Sequence, residues 1–164
     1  MSVEAKQQKQ VIIDEIKAKL ENAQAAVVVD YMGINVAEAD AMRKKLREAN
    51  VDYTVYKNTL IKRAIEGTDY APLAEVLDGP SALAISTEDA TAPARTLNEL
   101  IKEYKKMEIK AGVVEGTYYD KAGIEQVADI PSRDVLIAKF MGSIQSPVSK
   151  FVRTLAAIAE EKEA

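Results

Sequence analysis

The run Ala25-Ala-Val-Val-Val-Asp-Tyr31 limits the fold more than any other stretch of this chain. It is continuous, largely β-branched and of strand length, which points to a central strand covered by helices. Candidate helices flank it. From Ser2 to Asn22, Val11, Ile12, Ile16 and Leu20 recur at helical spacing, with Lys6, Lys9, Lys17 and Lys19 among the polar positions. Gly33 supplies a turn after the strand, and between Val36 and Ala49 the residues Ala39, Met42, Leu46 and Ala49 form one apolar face. Arg43, Lys44, Lys45 and Arg47 lie mostly off that face.

Further along, Val51 to Tyr56 alternates as a second strand. Thr59 to Glu66 reads as a short helix, with Asn58 as its cap and Gly67 as its stop. A small helix from Pro72 to Leu77 leads into the turn Asp78-Gly-Pro80 and a third strand, Ser81 to Ser86. Ala92 to Lys105 is a long helix, and Glu108 to Glu115 a fourth strand, trailed by Gly116 and a short Thr117-Tyr-Tyr119 segment. Two helices close the chain. Ser132 can cap the first, which carries Leu136, Ile137, Phe140, Met141 and Ile144 as far as Gln145. Proline is poorly tolerated inside a helix and favoured at its start, so Ser146-Pro147 predicts one helix ending and another beginning.

The order strand, helix, strand, extra helix, strand, helix, strand is the split βαβ pattern. The expected fold class is therefore α+β: a two-layer ferredoxin-like domain with extra helices over residues 1–130, then a connecting helix over 131–146 and a helical spine over 147–164. The extra helices leave room for a third layer.

Composition removes much chemistry. The chain has no Cys and no His, which excludes disulfides, thiol nucleophiles, Cys-ligated zinc and an imidazole base. The pairs Asp14-Glu15, Glu88-Asp89 and Glu160-Glu161 are adjacent acids, which on a helix do not point at one substrate. Gly67, Gly79, Gly112, Gly116 and Gly123 match neither the phosphate-loop nor the dinucleotide fingerprint. No catalytic residue, metal site or cofactor is expected. The N-terminus lacks the pattern of a signal peptide, and no apolar run approaches the roughly 20 residues that span a bilayer. The chain reads as cytoplasmic, with no membrane partner.

Charge is segregated. The net charge is -4, from 22 basic and 26 acidic side chains, yet residues 43–63 hold seven basic side chains against Glu48 and Asp52 alone, a local +5. Basic side chains displace condensed counterions from a phosphate backbone, and free N–H groups at a helix start also bind phosphate oxygens. The candidate RNA-binding residues are Arg43, Lys44, Arg47, Lys57, Asn58, Thr59, Lys62 and Arg63, with Tyr31, Tyr53 and Tyr56 near enough in sequence to stack on unpaired bases. A second constellation lies in the tail. Val148, Phe151, Val152, Leu155, Ile158 and Ala159 form an apolar stripe at helical spacing, over about 17 residues and about 25 Å. Left exposed, such a stripe asks for a partner helix.

Val29-Asp-Tyr-Met-Gly33, Lys57-Asn-Thr-Leu-Ile-Lys-Arg-Ala64, Asp78-Gly-Pro80 and Phe151-Val-Arg-Thr-Leu-Ala-Ala157 together resemble the bacterial large-subunit ribosomal stalk-base family, protein ten. Their order and spacing fit essentially the whole chain. The resemblance implies a cytoplasmic, non-enzymatic component of the large ribosomal subunit. Its N-terminal domain would bind large-subunit ribosomal RNA beside ribosomal protein eleven. Its C-terminal helix would carry dimers of the acidic stalk protein, two at this spine length, which recruit GTP-bound translation factors. Met32 stands where the family commonly has Arg, so one implied cationic contact is missing. The alternative reading is a non-ribosomal adaptor that binds helices and never touches RNA.

Overall fold

The computed structural model describes residues 3–163, with side chains for 7–147, 149–155, 157 and 158. The chain divides into two compact units that meet between Ile130 and Pro131.

The first unit is built on an antiparallel sheet. Its strands are β1 (Ala25–Asp30), β2 (Val51–Thr54), β3 (Ala82–Ser86), β4 (Glu108–Val114) and β5 (Thr117–Asp120), in the order β2-β3-β1-β4-β5. The first four positions are those of the split βαβ pattern. β5 is a fifth strand, made where the sequence predicts only a short segment: Glu115 and Gly116, both at positive φ, turn β4 back on itself.

Among the described residues, five helices of this unit accompany the sheet, α1 (Val3–Glu21), α2 (Val36–Glu48), α3 (Asn58–Ile65), α4 (Ala92–Tyr104) and α5 (Lys121–Ala128), with a 3-10 turn at Ala71–Glu75, and the second unit holds α6 (Arg133–Glu163). β1 needs cover on both sides and receives it. Ala25, Val27 and Val29 pack with Met42 and Leu46 of α2, Leu97 and Leu100 of α4, and Ile124 of α5. Ala26 and Val28 point the other way, among Ile13, Ile16 and Leu20 of α1, Leu60, Ile61 and Ile65 of α3, and Leu73 and Leu77. The α+β class is as expected, and the extra helices make the third layer that the sequence leaves open. Each buried Leu or Ile contributes roughly 1.5–3 kcal/mol, so both faces matter to stability.

Local signals explain the element ends. Asn35 and Glu38 form a capping box at the start of α2, and Asn50, at a φ of 55°, turns the chain out of it into β2. The cap of α3 differs from expectation. Lys57 holds the cap position without a side-chain bond, and Asn58 is the first helical residue. Its amide instead donates to the Gly79 carbonyl at 2.8 Å. A partner from the turn at Gly79 outcompetes the local bond.

The helical break expected at Ser146-Pro147 is absent: α6 runs through Pro147. Proline removes one i→i−4 hydrogen bond and orphans the carbonyl of Ser143. Ser143 and its neighbours are exposed, so water can satisfy that carbonyl and the helix need not end.

Gly112 of β4 sits where a Cβ would fall 2.7 Å from Ile124 Cδ1 and 3.1 Å from Val27 Cγ2. α5 packs on the sheet over this missing side chain. Gly112→Val should destabilise the domain by about 1–3 kcal/mol, read as a lower urea midpoint with an unchanged slope. An unshifted midpoint would mean α5 is not seated there.

Candidate nucleic-acid interface

β2 is an edge strand, and its exit leads into 57–59 at the start of α3. Its near flank is closed by α1. Lys19 Nζ lies 2.8 Å from Asp52 Oδ2 and 3.1 Å from Glu15 Oε1, and donates to the Tyr56 hydroxyl at 3.2 Å. The bond to Asp52 holds the Lys19 ammonium above its ordinary range, and the bonds from Lys19 and Tyr56 hold Glu15 below its own. Tyr56 is thereby fixed by its hydroxyl, which also donates to Glu15 at 3.1 Å.

The eight candidate RNA residues fall on two layers. Arg43, Lys44 and Arg47 belong to α2, on the face of Val27, whereas Asn58, Thr59, Lys62 and Arg63 belong to α3, on the face of Val28, with Lys57 capping it. They flank the β2 edge from both sides and do not form one patch on a single helix. Tyr53 of β2 links the groups. Burial pushes its phenol up to about 12, against the pull of Arg43, and Tyr31 is its other charged-form neighbour.

Tyr31 also lines an open cleft of about 350 Å³ with Val55, Tyr56, Lys57, Asn58, Thr59, Gly79, Pro80 and Ser81. Three of the candidate residues thus share one concave surface with two aromatic rings. Among the described residues, Lys44, Arg47, Lys57 and Arg63 make no ion pair, while Arg43 meets Asp40 at 3.6 Å and Lys62 meets Asp78 at 3.5 Å. Exposed cations without carboxylate partners keep their charge available to an external anion. Lys45 is different: its ammonium is held by Glu103 at 2.6 Å and raised in pKa by that bond.

Sequence reading missed the lysine that braces this cleft from behind its lining. Lys110, from β4, donates to the carbonyls of Asp78 and Pro80, the latter at 3.1 Å, and lies 3.4 Å from Asp30 Oδ2. No spacing in the chain points from residue 110 to residues 30 and 78.

In the second unit, α6 presents Leu136, Ile137, Phe140, Met141 and Ile144, then Phe151, Val152, Leu155 and Ile158, all exposed. Phe140 and Phe151 are 67% and 65% exposed. The side chains of Val148 and Ala159 lie outside the described residues. The stripe continues on both sides of Pro147, where the sequence singles out its second half alone.

Among the described residues, no group of three or more acids is placed to hold a metal ion, and no helix is long and apolar enough to cross a membrane. The fold and these surfaces define an α+β domain joined to an apolar helical region. The model for ribosomal protein L10 matches residues 4–102, and that for the ribosomal protein uL10 C-terminal region matches residues 130–164. The large ribosomal subunit protein uL10 of Bacillus licheniformis is 44% identical over 94% of this chain and 93% of its own length. Those of Clostridium tetani and Burkholderia cenocepacia are each 46% identical, over 96% and 97% of this chain and 92% and 96% of their own lengths. The chain belongs to the ribosomal protein L10 family. It is a structural component of the large ribosomal subunit and not an enzyme.

Tyr53 gives this surface a titration signature. A phenol that ionises near 10 when unfolded and near 12 when folded contributes stability below pH 10, lost as the pH climbs from 10 to 12. Tyr53→Phe should leave the urea midpoint near pH 8 almost unchanged and make the alkaline loss shallower. An identical alkaline slope would place Tyr53 in water.

Proposed function

We propose that this protein is the base of the ribosomal stalk, cytoplasmic like the translation machinery it serves. The domain over residues 1–130 binds large-subunit ribosomal RNA beside ribosomal protein eleven. The helix over 147–164 carries dimers of the acidic stalk protein, two along its length, which bring GTP-bound factors to the ribosome. The observation that carries the reading is the separation of two unneutralised surfaces. One is the set of unpaired cations flanking β2, Lys44 and Arg47 on one layer and Lys57 and Arg63 on the other, and the second is the apolar stripe of α6. Membership of a large-subunit protein family supports an RNA partner for the first.

On this reading Arg43, Lys44, Arg47, Lys57, Lys62 and Arg63 meet phosphates, and the first N–H groups of α3, which no side chain caps, face the same backbone. RNA affinity should fall steeply with salt. A Lys57→Ala, Lys62→Ala, Arg63→Ala triple variant should bind more weakly and with a slope of log affinity against log salt reduced by roughly 0.7–0.9 per lost phosphate contact. Unchanged binding by the triple variant would remove these residues from the interface.

For the tail, Phe151 and Leu155 are the anchors, each worth roughly 1.5–3 kcal/mol when buried by a partner. Deleting residues 147–164 should abolish stalk-dimer binding, measured by calorimetry, and leave the thermal transition of the domain in place. Retained binding, or loss of the domain's transition, would overturn the assignment. The adaptor reading differs at one point: it predicts no co-purification of ribosomal RNA with the intact chain.

A further inference from the structure

Lys110 stands at a register shift. Val28 faces Ala111 while Val29 faces Ile109, so Lys110 is the extra residue of a β-bulge in β4. Bulges re-aim a side chain out of the regular alternation. Here the ammonium is carried to two loops at once. It donates to the carbonyls of Asp78 and Pro80 and to the Ser81 hydroxyl at 3.3 Å, and it pairs with the Asp30 carboxylate. An ammonium has three protons on a compact head, and acceptors surround this one.

Each acceptor fixes part of the cleft. The Gly79 carbonyl, between two of Lys110's acceptors, receives the Asn58 amide, which ties the turn to the first residue of α3. Gly79 itself is at a φ of 70°, a conformation that needs outside support to be single. Asp30 uses its other oxygen, Oδ1, to accept the Met32 N–H at 3.0 Å, shaping the loop that presents Tyr31. Tyr31, Asn58, Gly79, Pro80 and Ser81 all line the cleft, and Lys110 does not. With its side chain 17% exposed and its charge faced by Asp30, it offers little to a phosphate directly.

We propose that Lys110 is a positioning residue for RNA binding: it holds the 78–81 turn and the Asp30 end of β1 together, and so sets the shape of the cleft without touching RNA. This rests on the reading of the cleft rim as the RNA surface. Removing the ammonium frees the turn from β4 and leaves Asp30 unpaired beside the site.

The test measures the binding of full-length variants to large-subunit ribosomal RNA across a salt series, with folding checked by circular dichroism. Lys110→Met should bind more weakly by about tenfold, the scale of one lost charge-assisted hydrogen bond, with an unchanged salt slope. Asp30→Asn added to Lys110→Met should not restore the affinity. Where Lys110→Met does not fold, Lys110→Gln carries the same comparison. Unchanged affinity would make the lysine purely structural. A slope shallower by one contact would make it a phosphate ligand. Restoration by Asp30→Asn would reduce its role to charge neutralisation. Each of these overturns the proposal. The Lys57, Lys62, Arg63 triple variant, run alongside, isolates the underlying reading: if it too binds normally, the RNA surface itself is misassigned.

Discussion

A strand that is apolar on both sides cannot sit at a sheet edge or against water, and β1 is such a strand. With it in the centre, β3 and β4 become its neighbours, and β2, joined to β1 through α2, is displaced to the edge beyond β3. Helices must then cover both faces, which α2, α4 and α5 do on one and α1 and α3 on the other. The candidate interface is a by-product of that arrangement. An edge strand exposes its flank and its exit, and a chain that keeps such an edge monomeric lines it with charge. Around β2 those charges include Lys44, Arg47, Lys57 and Arg63, which among the described residues make no ion pair, and Arg43 and Lys62, which pair with Asp40 and Asp78.

Two kinds of exposed surface therefore coexist on an acidic chain. The domain satisfies its apolar surface internally, and its cations remain available. α6 does the opposite, leaving apolar side chains such as Phe140, Met141, Ile144, Phe151, Val152 and Leu155 in water. A helix with that face gains little stability from its own packing and much from a partner. The proposed connector role rests on this division: electrostatic capture at one unit, hydrophobic capture at the other.

What the residue pattern reveals depends on how local the cause is. β1 is legible because its burial is written in five consecutive residues, and α2 because its apolar positions repeat at one period. The fifth strand was less so, since Thr117 to Asp120 pairs only because Glu115 and Gly116 reverse the chain. The role of Asn58 was misread for a similar reason: a cap is a local preference, and the Gly79 carbonyl that overrides it lies 21 residues away. The Lys110 bulge is invisible to alternation, because a register shift is a property of a strand pair. Pro147 was read by a rule that holds where a lost hydrogen bond is buried, and the exposed α6 does not meet that condition. At the site, the residue types were legible and their grouping was not. Arg43, Lys44 and Arg47 stand close to Lys57 in sequence and on the opposite layer from α3 in space.

The central claim is that one chain holds RNA and protein at once, through surfaces that do not compete. Native mass spectrometry of the full chain with a large-subunit ribosomal RNA fragment and the acidic stalk protein tests it directly. The account predicts a single complex containing RNA, one copy of this chain and two stalk-protein dimers, formed whichever partner is added first. Binary complexes that exclude each other, or a chain that takes up dimers and never RNA, would contradict it.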